Sequence, residues 1–237
     1  MTPVTRRALL GRAGAAAGLV AIAACAPSAV SSPAPPAGSS PAPSTTPALS
    51  VGPTFDRLPR WRGFDITEQA PYQTKPLPFD VWDFDFMAEH GFDFARLAVD
   101  FRRWTPAPGA FSEAGIAEVD RGIALARDRK IHASLDLHVA PGHFGYLRPS
   151  IRTLWEDGAA GDEARRQFAD VWRRLARRYN TIPSSELSFG ITNEPPNDVT
   201  PAQYLRAAEP TIAAIRAEDP ARLIIADGTN FGRLPVT

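Results

Sequence analysis

Leu187-Ser188-Phe189-Gly190-Ile191-Thr192-Asn193-Glu194-Pro195-Pro196 begins as a short apolar run and ends on two prolines. The first five residues read as a buried strand. Proline cannot donate to a sheet ladder, so Pro195 and Pro196 stop the strand directly behind the carboxylate and leave Glu194 at an element end. Strand ends are where parallel α/β folds keep their chemistry, and a glutamate held there is well placed to exchange a proton. Taken alone, the triplet Asn193-Glu194-Pro195 fits equally well a polar residue opening an ordinary loop.

Working outward, apolar runs recur at 63–66, 94–99, 131–139, 187–192 and 223–226. Each pair is separated by a segment with helical spacing. Ile116, Val119 and Ile123 share one helix face, as do Phe168, Val171, Trp172, Leu175 and Tyr179. Arg165, Arg166, Arg173, Arg174, Arg177 and Arg178 fall largely on the solvated side of that second helix. Thr200-Pro201-Ala202-Gln203 reads as a capping box with proline at the first helical position, opening a helix buried through Tyr204, Ala208, Ile212 and Ile215. The order is therefore β/α repeated, with a parallel sheet.

Two architectures fit such an order, a doubly wound sheet and a (β/α)8 barrel. Arg62-Gly63-Phe64-Asp65-Ile66 runs into Thr67-Glu68 without a glycine-rich phosphate loop, which disfavours a nucleotide fold. In a barrel, polar residues at successive strand ends converge on one mouth. The candidates are Asp65, Arg96, Asp100, Asp136, His138, Asn193, Glu194 and Asp227.

The first 25 residues carry Arg6, Arg7 and Arg12 but no acid, then an apolar segment from 13 to 24 that ends at Cys25, the sole cysteine. These features read as a secretion signal, too short for the ~20 residues that span a bilayer. Thr5-Arg6-Arg7-Ala8-Leu9-Leu10 resembles a twin-arginine signal, and Ile22-Ala23-Ala24-Cys25 resembles a lipobox whose cysteine becomes lipidated. The expectation is export by the twin-arginine route to the cell envelope, as a lipoprotein held to a membrane through Cys25 in preference to simple release. A single cysteine permits no disulfide within the chain.

Residues 26–54 contain eight prolines among Ala, Ser and Thr, with no charge. Such a segment cannot bury enough apolar surface to fold, and it reads as a linker. From residue 55 roughly 180 residues remain, enough for one domain with a sizeable core. Without the three signal arginines, 23 basic residues face 26 acids, so nucleic acid is not an expected partner.

With these motifs in place, the chain resembles a family 5 glycoside hydrolase, the cellulase-like retaining glycosidases built on a (β/α)8 TIM barrel. Residues 62–66 are similar to the family's first strand. Residues 94–104 are similar to its second, with Arg96 as the active-site arginine. Asp136-Leu137-His138-Val139-Ala140-Pro141-Gly142 resembles the third-strand motif with its active-site histidine, His138. Residues 187–196 resemble the fourth strand, whose Asn-Glu-Pro carries the acid/base, and Ile224-Ile225-Ala226-Asp227-Gly228 resembles the fifth. Five motifs in the right order are far more specific than any one of them.

The chemistry of the residues agrees. Glycosidic cleavage needs a proton for the leaving oxygen and a second carboxylate for the oxocarbenium-like centre, ~5 to 5.5 Å away in a retaining enzyme. The resemblance makes Glu194 the proton donor and later the base that activates water. Asn193 beside it can hydrogen-bond a sugar hydroxyl, in this family the 2-hydroxyl of the reacting sugar. Arg96 cannot lose its charge and would hold a carboxylate ionised and aimed. Trp104 after the second strand, and Phe144, Tyr146 and Trp155 in the long loop 140–161, are aromatic faces able to pack on sugar rings or in the core. His143 reads as a surface or substrate-contacting residue. Asp136 and His138 lack a third ligand at a convincing spacing, so no metal and no cofactor is implied.

The resemblance also implies a departure. A (β/α)8 barrel typically needs ~250 residues. The family's nucleophile lies on the seventh strand, whereas the motifs here end with the fifth. The fold expectation is thus an incomplete barrel of about five βα units, covering residues 55–237. The functional expectation is a glycosidase acting on a β-glucan-like polysaccharide or glycoside, with the nucleophile strand outside this chain. The alternative is a non-catalytic carbohydrate-binding lipoprotein or an inactive fragment.

Overall fold

The computed structural model describes residues 53–70, 77–145 and 148–236. The signal-like segment, Cys25, nearly all of the proline-rich segment and Tyr146 lie outside the described residues.

Five strands, β1 (Gly63–Ile66), β2 (Phe94–Asp100), β3 (His132–Val139), β4 (Leu187–Gly190) and β5 (Leu223–Ile225), form one sheet in the order β1-β2-β3-β4-β5. All four pairings are parallel. This order decides between the two architectures left open by the βα repeat. A doubly wound sheet reverses its strand order at a switch point, whereas here every strand pairs with its neighbour in sequence. The result is an open, incomplete (β/α)8 barrel.

Helices α1 (Val81–Glu89), α2 (Glu113–Asp128), α3 (Ala159–Tyr179) and α4 (Pro201–Glu218) fill the crossovers. The starts of α1, α2 and α4 are set by side chains that satisfy orphan amides. Asp80 accepts from the Trp82 N–H at 3.0 Å, and Ser112 accepts from the Gly115 N–H at 3.1 Å. The capping box of α4 is present in both directions, with the Gln203 N–H to Thr200 Oγ1 at 3.3 Å and the Thr200 N–H to Gln203 Oε1 at 2.9 Å.

Every residue of β3 and of β4 is buried, as expected for strands covered on both faces, and this central pair anchors the core. Phe168, Val171, Trp172, Leu175 and Tyr179 of α3 all point into that core, as their spacing requires. Burying a side chain such as Phe168 contributes about 1.5–3 kcal/mol relative to leaving it exposed.

One arginine of α3 departs from the solvated face. Arg165 is buried, and its guanidinium donates to the carbonyls of Leu154 at 3.1 Å and Glu156 at 2.8 Å. The long loop before α3 folds back over the helix start and leaves those carbonyls in need of a donor, which a helical arginine nearly two turns in can reach. The other five stay partly or fully exposed in ion pairs along the helix or with neighbouring elements.

Candidate active site

The polar side chains of the strands meet above the C-terminal ends of β1 to β5, and Arg96 is their hub. Register explains why. Asp65 of β1 lies opposite Arg96 of β2, while Ala98, Asp136, Gly190 and Ile225 form one row across β2 to β5. Arg96 starts one layer below that row, and its long side chain climbs to it. Its Nη2 donates to Asp136 Oδ1 at 2.8 Å and to Asn193 Oδ1 at 2.9 Å. Asp227 Oδ2 lies 3.5 Å from Nη2, and Asp65 Oδ2 lies 3.4 Å from Nη1. Burial opposes the guanidinium charge, but Asp136, Asp65 and Asp227 together outweigh it and raise the pKa above the ordinary arginine value. Arg96 is a fixed cation among three acids.

Asp136 is fully buried, which pushes its carboxyl upward; the His138 hydrogen bond and Arg96 pull it back. Alternation along β3 puts Asp136 and His138 on the same face, two residues apart. The His138 Nδ1 stands 2.9 Å from Asp136 Oδ2, so the carboxylate fixes that nitrogen as a donor. Gly190 across the row makes space for this group: a Cβ there would stand 3.2 Å from Asp136 Oδ1.

Asn193 is buried, and its orientation follows from its partner. Arginine only donates, so the atom facing Arg96 is the amide oxygen, and the amide NH2 is turned away from the hub. The next residue, Glu194, is half-buried and has φ 48°, a left-handed conformation uncommon for a non-glycine residue. Pro195 disfavours the right-handed helical region for the residue before it. The left-handed choice is secured by Asp227, whose Oδ2 accepts the Glu194 N–H at 3.0 Å. The turn after β5 adds a second tie, from the Phe231 N–H to the Pro195 carbonyl at 2.8 Å. Strain held at a rim carboxylate by its surroundings is a mark of a functional position.

His143 is not at the surface. It is 1% exposed, and both ring nitrogens are engaged inside the protein. A turn through Gly142 (φ 71°) folds the chain back after β3, with paired backbone hydrogen bonds between Ala140 and His143. Trp155 Nε1 donates to His143 Nδ1 at 3.1 Å, and His143 Nε2 lies 2.7 Å from the Asn193 carbonyl oxygen. An indole can only donate, so Nδ1 accepts and the proton sits on Nε2. Burial, with help from nearby cationic groups, holds the ring neutral with its pKa down to about 4.

Trp104 is also buried, at 1% exposure, and belongs to the hydrophobic core beneath the start of α2. Its ring offers no face to a ligand. Trp155 is likewise buried and stacks on Tyr204 of α4, ring centroids 6.0 Å apart. Phe144 remains half-buried, with the Arg102 guanidinium 4.5 Å above its ring. Asp100 stands apart from the hub: a register shift at the end of β2 turns it toward Arg102, which it binds through both oxygens. The structure thus brings seven of the eight strand-end candidates together, Asp65, Arg96, Asp136, His138, Asn193, Glu194 and Asp227, and leaves out Asp100. Their shared signal in the sequence is a polar residue inside or just beyond an apolar strand.

This geometry finds counterparts. Residues 73–235 match the family model described as Cellulase (glycosyl hydrolase family 5). Endoglucanase C of Acetivibrio thermocellus is 29% identical over 152 residues, which cover 63% of this chain and 42% of that protein. A glycoside hydrolase of known crystal structure superposes with a TM-score of 0.66 at 31% identity, covering 74% of this chain and 55% of its own. XacCel5A, solved in complex with cellopentaose, superposes with a TM-score of 0.59 at 26% identity, over 73% of this chain and 54% of its own. The chain therefore spans about half the length of the proteins it matches. With its sequential parallel strands and a glutamate poised at the tip of the fourth, this chain belongs to glycosyl hydrolase family 5.

Proposed function

We propose that this chain supplies the proton-transfer half of the active site of a retaining glycosidase acting on a β-glucan. The observation that carries the reading is the placement of Glu194. It is a half-buried glutamate at the mouth of β4, its backbone held by Asp227, next to an asparagine whose amide is aimed by Arg96. In the first step the Glu194 carboxyl gives its proton to the glycosidic oxygen as the bond to the anomeric carbon breaks. A second carboxylate, assigned by family resemblance to a later strand of the barrel, bonds to that carbon. In the second step ionised Glu194 takes a proton from water, the water oxygen attacks the anomeric carbon, and the enzyme carboxylate leaves. The Asn193 amide N–H donates to a sugar hydroxyl.

A β-glucan substrate is supported by the likeness to Endoglucanase C and to a structure that holds cellopentaose. In the full-length protein, Glu194→Gln is expected to lower reducing-sugar release from a soluble β-glucan by on the order of 100-fold or more. An unchanged rate would remove Glu194 from the role, and binding of cello-oligosaccharide without any hydrolysis would favour a carbohydrate-binding protein. We also place this activity outside the cytoplasm, on a lipid anchor at Cys25, on the strength of the signal-like residues 1–25. Loss of membrane association in Cys25→Ser would support that location, and unchanged association would contradict it.

A further inference from the structure

We propose that His143 and Asp227 are positioning residues that clamp one peptide plane, the Asn193–Glu194 bond, from its two sides and thereby aim the Glu194 carboxyl. The inference rests on Glu194 as the proton-transfer group. The two hydrogen bonds meet on a single rigid unit. The carbonyl of Asn193 accepts from His143 Nε2 at 2.7 Å, and the amide of Glu194 donates to Asp227 Oδ2 at 3.0 Å. In a trans peptide these two groups point in opposite directions, so fixing both leaves the plane no rotation. The orientation of that plane sets the φ of Glu194, which lies in the left-handed region at 48°.

Each arm of the clamp is itself supported. On the β3 side, the Trp155 indole N–H fixes the His143 tautomer that can donate to a carbonyl, and Trp155 is held in turn by stacking on Tyr204 and by Gln203 Nε2 on its carbonyl at 3.1 Å. On the β5 side, Arg96 lies 3.5 Å from the same Asp227 oxygen and holds it in place. His143, 1% exposed, offers no face to a sugar, and Asp227 spends Oδ2 on the backbone. A ring that merely filled space would have no need of a fixed tautomer.

The test compares disruptive and conservative changes in the full-length protein. His143→Phe and Asp227→Ala are expected to lower kcat on a soluble β-glucan by on the order of 10- to 100-fold, with KM within about threefold, because misaimed groups lose rate and not binding. His143→Gln keeps an N–H for the carbonyl and an acceptor for the indole, and Asp227→Asn keeps an oxygen for the amide; both should recover most of that loss. The double variant His143→Phe/Asp227→Ala should fall less than the product of the single losses, since both act on one plane. Full activity in His143→Phe and Asp227→Ala, or Gln and Asn variants as impaired as Phe and Ala, would overturn the clamp while leaving Glu194 in its role. Should Glu194→Gln itself prove fully active, the proton-transfer reading fails, and the clamp is then decided by crystallography of Asp227→Ala. Departure of Glu194 from the left-handed region would support it, and retention of its φ would overturn it.

Discussion

Strand β3 carries a buried histidine at each end, His132 and His138, and their surroundings have nothing in common. His132, at the N-terminal end, lies against Trp61 with ring centroids 4.0 Å apart and parallel to Phe94 at 5.6 Å. Its nitrogens meet neutral partners, Ser188 Oγ at 2.9 Å and the Ser185 carbonyl at 3.2 Å. His138, at the other end, meets a fully buried carboxylate that is itself tied to an arginine. One end of the strand buries a ring by matching it with aromatic faces and uncharged hydrogen bonds, the other by balancing charges. In parallel barrels the first end maintains the fold and the second carries the chemistry.

Breaking the charged end should have the larger effect. Arg96→Met leaves Asp136 buried without its cation, for which a loss of about 3–5 kcal/mol of stability is expected, together with loss of activity. Urea unfolding measures the first; a drop smaller than about 1 kcal/mol would mean that Asp136 is neutral or otherwise compensated. Acid comes next. Burial holds His132 and His143 down to about 4, against 6.5 when unperturbed. Between those values the unfolded chain binds protons that the folded chain refuses. Stability from these rings is therefore complete above pH 6.5 and falls as the pH drops toward 4, by up to about 3 kcal/mol each. Unfolding midpoints that stay flat from about pH 7 to about pH 4.5 would contradict this burial. Breaking the neutral end should be milder and confined to stability. His132→Ala is expected to cost about 2–3 kcal/mol with kcat/KM unchanged, and a fall in kcat/KM at full stability would erase the distinction between the two ends.

The strands were legible in the sequence because each is an apolar run closed by a turn signal, and β1 matches its run residue for residue. β4 ends at Gly190, two residues before its apolar run does. There the chain leaves the sheet, and the Ile191 carbonyl turns to accept the Trp172 indole N–H at 2.9 Å. Arg96, His138, Asn193 and Glu194 stood out as candidates for the same reason as the strands, since each is a polar residue in or at the end of a strand motif, and the structure brings them to one rim. The expectation of a surface or substrate-contacting His143 fails, and for Trp104 the core alternative holds, because a polar or aromatic residue in a loop looks exposed until a tight turn or an overlying helix buries it. Nothing in local sequence could show that the Asn193 carbonyl and the Glu194 amide find their partners 50 and 33 residues away. Such pairings come from the side-by-side alignment of the strands in the sheet and not from periodicity.

In the proposed function Glu194 moves a proton to the leaving oxygen. The most direct test compares two substrates of full-length Glu194→Gln: a β-glucan, whose leaving sugar needs that proton, and 2,4-dinitrophenyl β-cellobioside, whose leaving group does not. The account predicts a loss on the order of 100-fold or more on the glucan and a near-wild-type burst of dinitrophenolate from the aryl glycoside. An equal loss on both substrates would contradict it.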